Sequence, residues 1–274
     1  MNRIAFHKMN GSGNDFIIVD NRRGVLPMED AQMFAARVCR RKVSAGADGL
    51  ILVEPSDHAD FKWRFFNSDG SVAEMCGNGA RCVARFAWEQ EICGPEMGFE
   101  TLAGIIRARV SDTRVKVTLP DPTELKIDYE VELEQGALLI SSVNTGVPHV
   151  VVPVPDPEQP DVEALGREIR FHPLFSPAGT NVNFVSLRKD GLAVRTYERG
   201  VEGETLSCGT GTVAAAVVGV YRGEVMSPVP VVTRSGETLT VHVEREGGEI
   251  REVCLEGGTR LVYEGVLTRE AWEA

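Results

Sequence analysis

Two cysteines stand in closely similar sequence contexts and are the first candidates for chemistry. Cys76 opens the run CGNGA and Cys208 opens the run CGTGT, so each precedes a Gly-x-Gly turn. The offset between them is 208 − 76 = 132 residues, close to half of the 274-residue chain. One such turn alone is typical of a buried, unreactive cysteine. Its duplication favours a pair of functional thiols.

Each of these cysteines directly precedes a predicted helix, near 77–91 and at 209–222. The unpaired N–H groups and the positive end of a helix favour thiolate and attract carboxylates. Glycines without side chains let an anionic ligand approach those N–H groups. A thiolate and a thiol on opposite faces of one α-carbon could therefore invert an amino acid. No lysine lies in a recognisable pyridoxal site, so we expect no cofactor.

The cysteine motifs belong to a longer internal repeat. The segment TLAG at 101–104 recurs as TRSG at 233–236, with an offset of 233 − 101 = 132. Gly13 before DFIIV matches Gly146 before PHVVV, with an offset of 146 − 13 = 133. Anchors that keep this order and spacing predict two copies of one α/β unit. Repeated halves often face each other across a pseudo-twofold axis, which suggests a common cleft for the two cysteine turns.

Hydrophobic patterning supplies the elements that must position these turns. Helical periodicity is also clear at 29–42, while the Pro-rich run 153–160 indicates a connector. Segment 209–222 is apolar on every face, which predicts a helix surrounded by sheet and capped by Gly223. Strands are predicted at 15–20, 49–54, 61–67, 104–111, 114–119, 138–143, 149–154, 183–188, 192–198, 229–233, 238–244 and 259–267.

Composition excludes several classes of partner. The formal net charge of −11 opposes binding to nucleic acid or anionic membranes. No apolar run reaches the length of a membrane span or signal peptide, so we expect a cytoplasmic protein with a small-molecule ligand. The absence of CxxC and HExxH motifs predicts no metal site. The remaining cysteines are interpreted as structural: Cys39, Cys82, Cys93 and Cys254.

Four blocks together resemble the diaminopimelate epimerase family over nearly the whole chain: MNGSGNDFIIVD at 9–20, FFNSDGSVAEMCGNGARC at 65–82, GTNVNFV at 179–185 and RTYERGVEGETLSCGTGT at 195–212. The resemblance implies an α/β (α+β) fold of two pseudo-symmetric domains. Each is a curled, mostly antiparallel sheet or barrel around a central helix. One domain comprises 1–119 plus 263–274 and carries Cys76. The other comprises 120–262 and carries Cys208.

The implied activity is cofactor-independent epimerisation of LL-diaminopimelate to meso-diaminopimelate, in the formation of lysine and peptidoglycan precursors. By resemblance, Cys76 and Cys208 form the acid/base pair in a cleft between the domains. The resemblance also assigns the groups that hold the reacting carboxylate, which are backbone groups of Gly77, Asn78, Gly209 and Thr210.

The distal head of the substrate has its own implied partners. Its carboxylate and neighbouring groups are assigned to Asn14, Asn67, Asn181 and Arg199. Glu198 faces its ammonium group. Glu198 and His149 also align with residues that tune the thiol pKa values or assist proton transfer, and Tyr263 aligns with a tyrosine of a homodimer interface.

Two departures from the family pattern concern the distal head. Val147 replaces the asparagine of a frequent Gly-Asn-Pro-His, and Gly49 stands where some members have glutamine after the aspartate.

Three alternatives stay open. They are a racemase of another amino acid in the same superfamily, a cysteine hydrolase that uses His149, and a non-catalytic amino-acid-binding protein.

Overall fold

The computed structural model describes residues 3–247 and 249–273. The chain folds as two compact units, Met1–Val117 with Gly257–Ala274, and Thr118–Glu256. Within the described ranges, no helix has the length and apolar character needed to cross a membrane.

The first unit contains a continuous run of paired strands. They lie in the order β18–β1–β2–β3–β4–β6–β7–β8, with β5 beside β4. Only the β2–β3 and β4–β6 pairs among these are parallel. The elements are β1 (Arg3–Gly11), β2 (Asn14–Asp20), α1 (Ala31–Val38), β3 (Gly49–Glu54), β4 (Phe61–Asn67), β5 (Val72–Ala73), α2 (Gly77–Glu89), β6 (Glu96–Thr101), β7 (Gly104–Ser111), β8 (Arg114–Leu119), β18 (Arg260–Thr268) and α5 (Glu270–Glu273).

The second unit repeats this order. Its strands pair as β9–β10–β11–β12–β13–β15–β16–β17, with β14 beside β13. Its parallel pairs, β11–β12 and β13–β15, occupy the equivalent positions. The elements are β9 (Thr123–Leu133), β10 (Gly136–Asn144), β11 (Pro148–Pro153), α3 (Val162–Arg170), β12 (Asn181–Arg188), β13 (Gly191–Glu198), β14 (Gly203–Thr205), α4 (Gly209–Arg222), β15 (Val229–Val232), β16 (Thr238–Glu246) and β17 (Glu249–Gly258).

Strand register confirms the predicted repeat. Phe16 pairs with Gly49 in the β2–β3 ladder, and His149 pairs with Asn181 in the β11–β12 ladder. The two registers are related by offsets of 149 − 16 = 133 and 181 − 49 = 132, the values found between the sequence anchors. The mixed α/β fold with two repeated, mostly antiparallel units is therefore confirmed.

Each unit has one helix buried against its sheet. Helix α4 is buried continuously from Gly211 to Val220 and contacts β10–β13, β15 and β16. Helix α2 contacts β1, β2, β3 and β7. Burial of each large apolar side chain, such as Phe86, contributes about 1.5–3 kcal/mol. Gly223 ends α4 in the left-handed conformation at φ 73°, which confirms the predicted cap.

A second layer of core covers the other face of the parallel strands. In the first unit, Phe34 and Val38 of α1 pack in one cluster with Ile17, Leu50 and Leu52. In the second, α3 packs its apolar face into a cluster with β11, β12 and β13. Helices on both faces explain why β3 is buried at all six positions.

Three helices differ from the sequence prediction, since the helix at 29–42 is shorter than predicted and neither α3 nor α5 was predicted. The helix predicted at 29–42 ends at Val38, because the chain folds back and the N–H groups of Gly46 and Ala47 bond to the carbonyls of Val38 and Cys39. Helix α3 was not predicted. Asp161 caps it by accepting a 3.0 Å bond from the Ala164 N–H.

Replacing Gly166 by alanine tests the packing of α3 on β13. An ideal Cβ at this position lies 2.5 Å from Tyr197 Cβ, closer than two carbon atoms approach without strain. We expect the free energy of unfolding to fall by about 1–3 kcal/mol, measured by urea denaturation. Gly94→Ala is the control, because nothing lies within 4 Å of its added Cβ. Equal stability of the two variants would contradict a tight α3–β13 contact.

Candidate functional site

The topology of each unit gathers its predicted site residues at one end of the sheet. Strands β2 and β3 are parallel, so both begin at the same end, and the antiparallel β4 finishes there. Helix α2 also begins beside this end, since Asn78 in its first turn bonds to Asn14 at the start of β2. The second unit repeats the arrangement with β11, β12, β13 and α4.

Cys76 is the N-cap residue of α2. Its backbone is extended, with φ −150° and ψ 113°, and its Sγ accepts a hydrogen bond from the Gly79 N–H at 3.5 Å. The side chain therefore satisfies one of the N–H groups that a helix start leaves unpaired. The sulfur is held where the positive end of the helix stabilises negative charge.

Amide side chains surround this helix start. Asn78 is buried and donates from Nδ2 to Asn14 Oδ1 at 2.8 Å. Asn14 is half-buried and donates to Asp48 Oδ2 at 3.1 Å. Asn67 is exposed at the end of β4, and its Nδ2 donates to Ser71 Oγ at 3.0 Å. Asn14 and Asn78 thus form one cluster.

Gly49, one of the departures from the family pattern, has a structural reason in this chain. A Cβ at Gly49 would lie 2.4 Å from the ring of Phe65 and 2.7 Å from the carbonyl oxygen of Phe66. The aromatic ring occupies the space that a larger residue 49 needs. A larger residue at position 49 therefore requires both the Phe65 ring and the Phe66 carbonyl to shift.

Cys208 is the N-cap residue of α4 and is buried. It forms a side-chain hydrogen bond with Glu198, whose Oε2 also accepts from Thr205 Oγ1 at 2.9 Å. Burial raises the pKa of Glu198, and the bonds from Thr205 and Cys208 partly oppose this shift. Thr210 Oγ1 lies 3.5 Å from the sulfur. A thiol, a carboxyl group and a hydroxyl group therefore meet at this helix start.

Asn181 holds the turn that carries Arg199. Its Oδ1 accepts from the Arg199 backbone N–H at 2.9 Å, and its Nδ2 donates to Pro148 O at 2.9 Å. The Arg199 guanidinium donates to Ala178 O at 3.3 Å. Asn181 is thus engaged with backbone at both ends of its amide, while Arg199 is half-buried beside Glu198.

His149 is buried in a fixed tautomer. Asn183 Nδ2 lies 3.1 Å from His149 Nδ1, and since the amide nitrogen can only donate, Nδ1 is the acceptor. The ring proton therefore sits on Nε2, which has no hydrogen-bond partner among the residues that the structure describes. Burial, assisted by the charge of Arg199, lowers the pKa of His149 to about 3. The ring is neutral at physiological pH and presents one N–H donor.

The second glycine of each cysteine motif packs against the protein interior. A Cβ at Gly211 would lie 2.2 Å from Asn183 Oδ1, which also accepts from Thr196 Oγ1 at 2.9 Å. A Cβ at Gly79 would meet Ile51 at 3.3 Å. These two glycines therefore admit neighbouring side chains, whereas the sequence interpretation related them to ligand approach.

Asn183 and Thr196 were missed by sequence reasoning. Asn183 follows Asn181 by two positions in the quoted block GTNVNFV, so the two side chains lie on the same face of β12. That alternation is a signal in the sequence. Thr196 has no comparable signal, because only strand pairing places it opposite Asn183.

Two of the cysteines interpreted as structural have thiols with raised pKa values. Burial is the main cause that raises the pKa of the Cys39 thiol to about 12 and that of the Cys93 thiol to about 11. Each therefore stays protonated at neutral pH.

Tyr263 lies on β18, opposite Lys8 of β1. Its ring packs edge-on against Phe6, with 5.8 Å between the ring centroids, and its side of the strand is partly exposed.

Comparison with known proteins assigns the family. A family model for diaminopimelate epimerase matches residues 6–124 and 141–262. The chain belongs to the diaminopimelate epimerase family. A diaminopimelate epimerase of Aquifex aeolicus (strain VF5) is 49% identical, over 98% of this chain and 100% of that protein.

Solved structures support the fold of this family member. A PhzF-family phenazine biosynthesis protein of Bacillus anthracis has a TM-score of 0.73 at 18% identity, covering 97% of this chain and 99% of that one. A probable proline racemase of Agrobacterium radiobacter K84, with bound carbonate, has a TM-score of 0.71 at 16% identity, covering 98% and 94%. At these identities the likeness concerns the fold alone.

His149→Gln tests the buried neutral imidazole. The unfolded chain protonates this residue near pH 6.5 but the folded chain only near pH 3, so lowering the pH favours the unfolded state between these values. Between pH 7 and pH 5 we expect His149 to account for about 2 kcal/mol of lost unfolding free energy. Urea denaturation of both proteins at the two pH values measures this. The same pH dependence in the variant would contradict a neutral buried ring.

Proposed function

We propose that this protein epimerises LL-diaminopimelate to meso-diaminopimelate, with Cys76 and Cys208 as the two proton-transfer groups and without a pyridoxal cofactor. The observation that carries the proposal is the equivalent placement of the two sulfurs. Each is the N-cap side chain of the buried helix in one of two repeated units. Membership of the diaminopimelate epimerase family supports the choice of substrate.

We infer that the resting protein distinguishes the two cysteines. The Cys76 sulfur accepts an N–H bond from Gly79, which favours the thiolate form and a role as base. Cys208 bonds to the carboxyl group of Glu198, which favours a protonated thiol and a role as acid. One sulfur removes the α-proton and the other returns a proton to the opposite face. Reaction in the reverse direction exchanges the two roles.

The negative charge that develops after proton removal spreads onto the substrate carboxylate. We assign its stabilisation to backbone N–H groups at the two helix starts, from Gly77 and Asn78 in one unit and from Gly209 and Thr210 in the other. Donors at a helix N-terminus are already oriented and need no rearrangement as charge develops. This replaces the electron sink that a pyridoxal Schiff base supplies to other racemases.

The distal head of diaminopimelate carries a second carboxylate and ammonium group. We assign the carboxylate to Arg199, with Asn14, Asn67 and Asn181 as neighbouring amide partners, because a guanidinium can bind a carboxylate through two parallel bonds. Glu198 is the proposed partner of the ammonium group. His149 is a neutral N–H donor. It therefore assists proton transfer by donating a hydrogen bond and does not act as a base.

The biological setting follows from the proposed reaction. We place it in the cytoplasm, in the formation of lysine and peptidoglycan precursors. We propose domains of 1–119 with 263–274 and of 120–262, and a homodimer that forms through the surface around Tyr263. Exposed apolar residues on β18 support this surface, since Val262, Tyr263 and Val266 are 56%, 43% and 46% exposed.

Replacing each cysteine by alanine tests the two-base mechanism. We expect both Cys76→Ala and Cys208→Ala to lose about 10²-fold or more of epimerase activity, because each removes one proton-transfer group. Cys93→Ala is the matched control, since its thiol is held protonated away from either helix start. Activity is measured with separated diaminopimelate isomers, and solvent deuterium at the α-carbon is followed by mass spectrometry.

Each alternative gives a different result in this experiment. A cysteine hydrolase tolerates loss of one of the two thiols, and a binding protein leaves the α-hydrogen unexchanged. A racemase of another amino acid turns over single-headed substrates and not diaminopimelate. Any of these outcomes would overturn the proposal.

A further inference from the structure

Four side chains around the first turn of α2 form a directed chain of hydrogen bonds, here named the amide relay. Arg81 is fully buried and donates from Nη2 to Asn78 Oδ1 at 2.9 Å. Asn78 Nδ2 donates to Asn14 Oδ1 at 2.8 Å. Asn14 Nδ2 donates to Asp48 Oδ2 at 3.1 Å. The relay therefore begins at a guanidinium and ends at a carboxylate.

The charged ends set the direction of every bond in the relay. An asparagine amide keeps its shape when its oxygen and nitrogen exchange places, so its shape alone does not fix which end donates. A guanidinium can only donate, and an ionised carboxylate can only accept. If the Asn78 amide were flipped, its NH₂ group would face the donors of Arg81. If the Asn14 amide were flipped, its oxygen would face the carboxylate of Asp48.

The relay decides which polar groups remain for a ligand. Asn14 is half-buried, and after its two relay bonds it keeps one N–H and one oxygen lone pair. Reversal of its amide would exchange the positions of those two groups. Asn78 belongs to the helix turn beside Cys76, so the same relay also fixes that turn.

Both ends of the relay are themselves anchored. Arg41 Nη2 donates to Asp48 Oδ1 at 2.8 Å. The Asp15 backbone N–H donates to Asp48 Oδ2 at 3.1 Å, and the Asp48 N–H donates to Asp15 Oδ1 at 3.2 Å. At the other end, Arg81 also bonds to Ser12 Oγ and, at 3.4 Å, to Gly77 O. The Asp48 carboxylate and the Arg81 guanidinium are therefore held in place and cannot easily move to accommodate a flipped amide.

We propose that Asp48 and Arg81 are positioning residues, which set the polarity of Asn14 and Asn78 and so determine the hydrogen-bonding groups offered to diaminopimelate. The inference rests on the proposed function for the identity of the substrate. Neither residue contacts the reacting atoms. Their action passes through the two amides.

Asp48→Asn tests the relay, because it keeps the size of the side chain and removes the acceptor-only end. With an amide at position 48, one of the two constraints on Asn14 is lost, and only the bond from Asn78 still favours its present orientation. We expect the KM for diaminopimelate to rise about tenfold and kcat to change by less than about threefold, as for the loss of one binding hydrogen bond. Asp48→Glu restores an acceptor-only end, so its KM should stay within about threefold of the original.

Two comparisons separate positioning from a general loss of structure. Asp20→Asn makes the same chemical change in a carboxylate that is paired with Arg22 outside the relay, and it should leave KM unchanged. Asn14→Ala removes the amide on which Asp48 acts. Adding Asp48→Asn to Asn14→Ala should therefore raise KM no further. Additive effects of the two changes would overturn the relay.

A measurement without substrate distinguishes failure of the relay from failure of the proposed function. The side-chain NH₂ resonances of Asn14 and Asn78 are observed by NMR in the full-length protein. Both pairs should shift in Asp48→Asn and stay unchanged in Asp20→Asn. Unchanged resonances in Asp48→Asn would overturn the inference even in an active epimerase. If the unsubstituted protein fails to turn over diaminopimelate, the proposed function is wrong. The NMR resonances of Asn14 and Asn78 then still test whether the relay exists.

Discussion

The backbone N–H groups at the starts of two buried helices are the constraint on which this structure depends. A helix start leaves several donors unpaired, and both helix starts are only partly buried, at Cys76 and Gly77 and at Gly209 and Thr210. Both units place a cysteine at this point, where most helices have serine, threonine, aspartate or asparagine. The sulfur and the N–H groups of the first helical turn then lie together as a direct result of folding. A carboxylate ligand and a thiolate can each accept hydrogen bonds from the N–H groups at the helix start.

The surroundings of the two helix starts differ in chemistry although the topology repeats. Around Cys76 the neighbours are amides and a buried guanidinium, while Cys208 has a carboxyl group and hydroxyl groups. The proposed two-base inversion needs two similar positions with opposite protonation states. Duplication supplies the similar positions, and divergence of the neighbouring side chains supplies the difference.

Patterns within single segments predicted much of the fold. The bounds of α4 follow from a run between Cys208 and Gly223 that has apolar residues on every face of the helix. The strand β1 was missed because its buried Lys8 breaks the apolar alternation. Asp15 compensates that charge at 2.7 Å, and the Gly46 carbonyl accepts a further bond from Lys8. Helix α3 was missed because it is short, contains Gly166 and follows a Pro-rich run. These elements are stabilised by tertiary contacts that no local pattern records.

The site was predictable to the extent that its residues repeat or lie inside the quoted blocks. The cysteine motifs carry their own signal in duplicate. Asp48 and Arg81 are held in place by hydrogen bonds that join segments 33 or more residues apart, at Asp15–Asp48 and Ser12–Arg81. The orientation of an amide or the tautomer of His149 depends on such partners, so sequence alone leaves both open.

The pairing of β1 with β18 also bears on the order in which the units form during synthesis. Arg3 lies opposite Thr268, so the first unit combines segments that lie 268 − 3 = 265 residues apart in the sequence. Strands β9 to β16 emerge from the ribosome before β18 does. The second unit can therefore pair most of its ladder while β1 still has an open edge, the kind of edge at which nascent chains join one another.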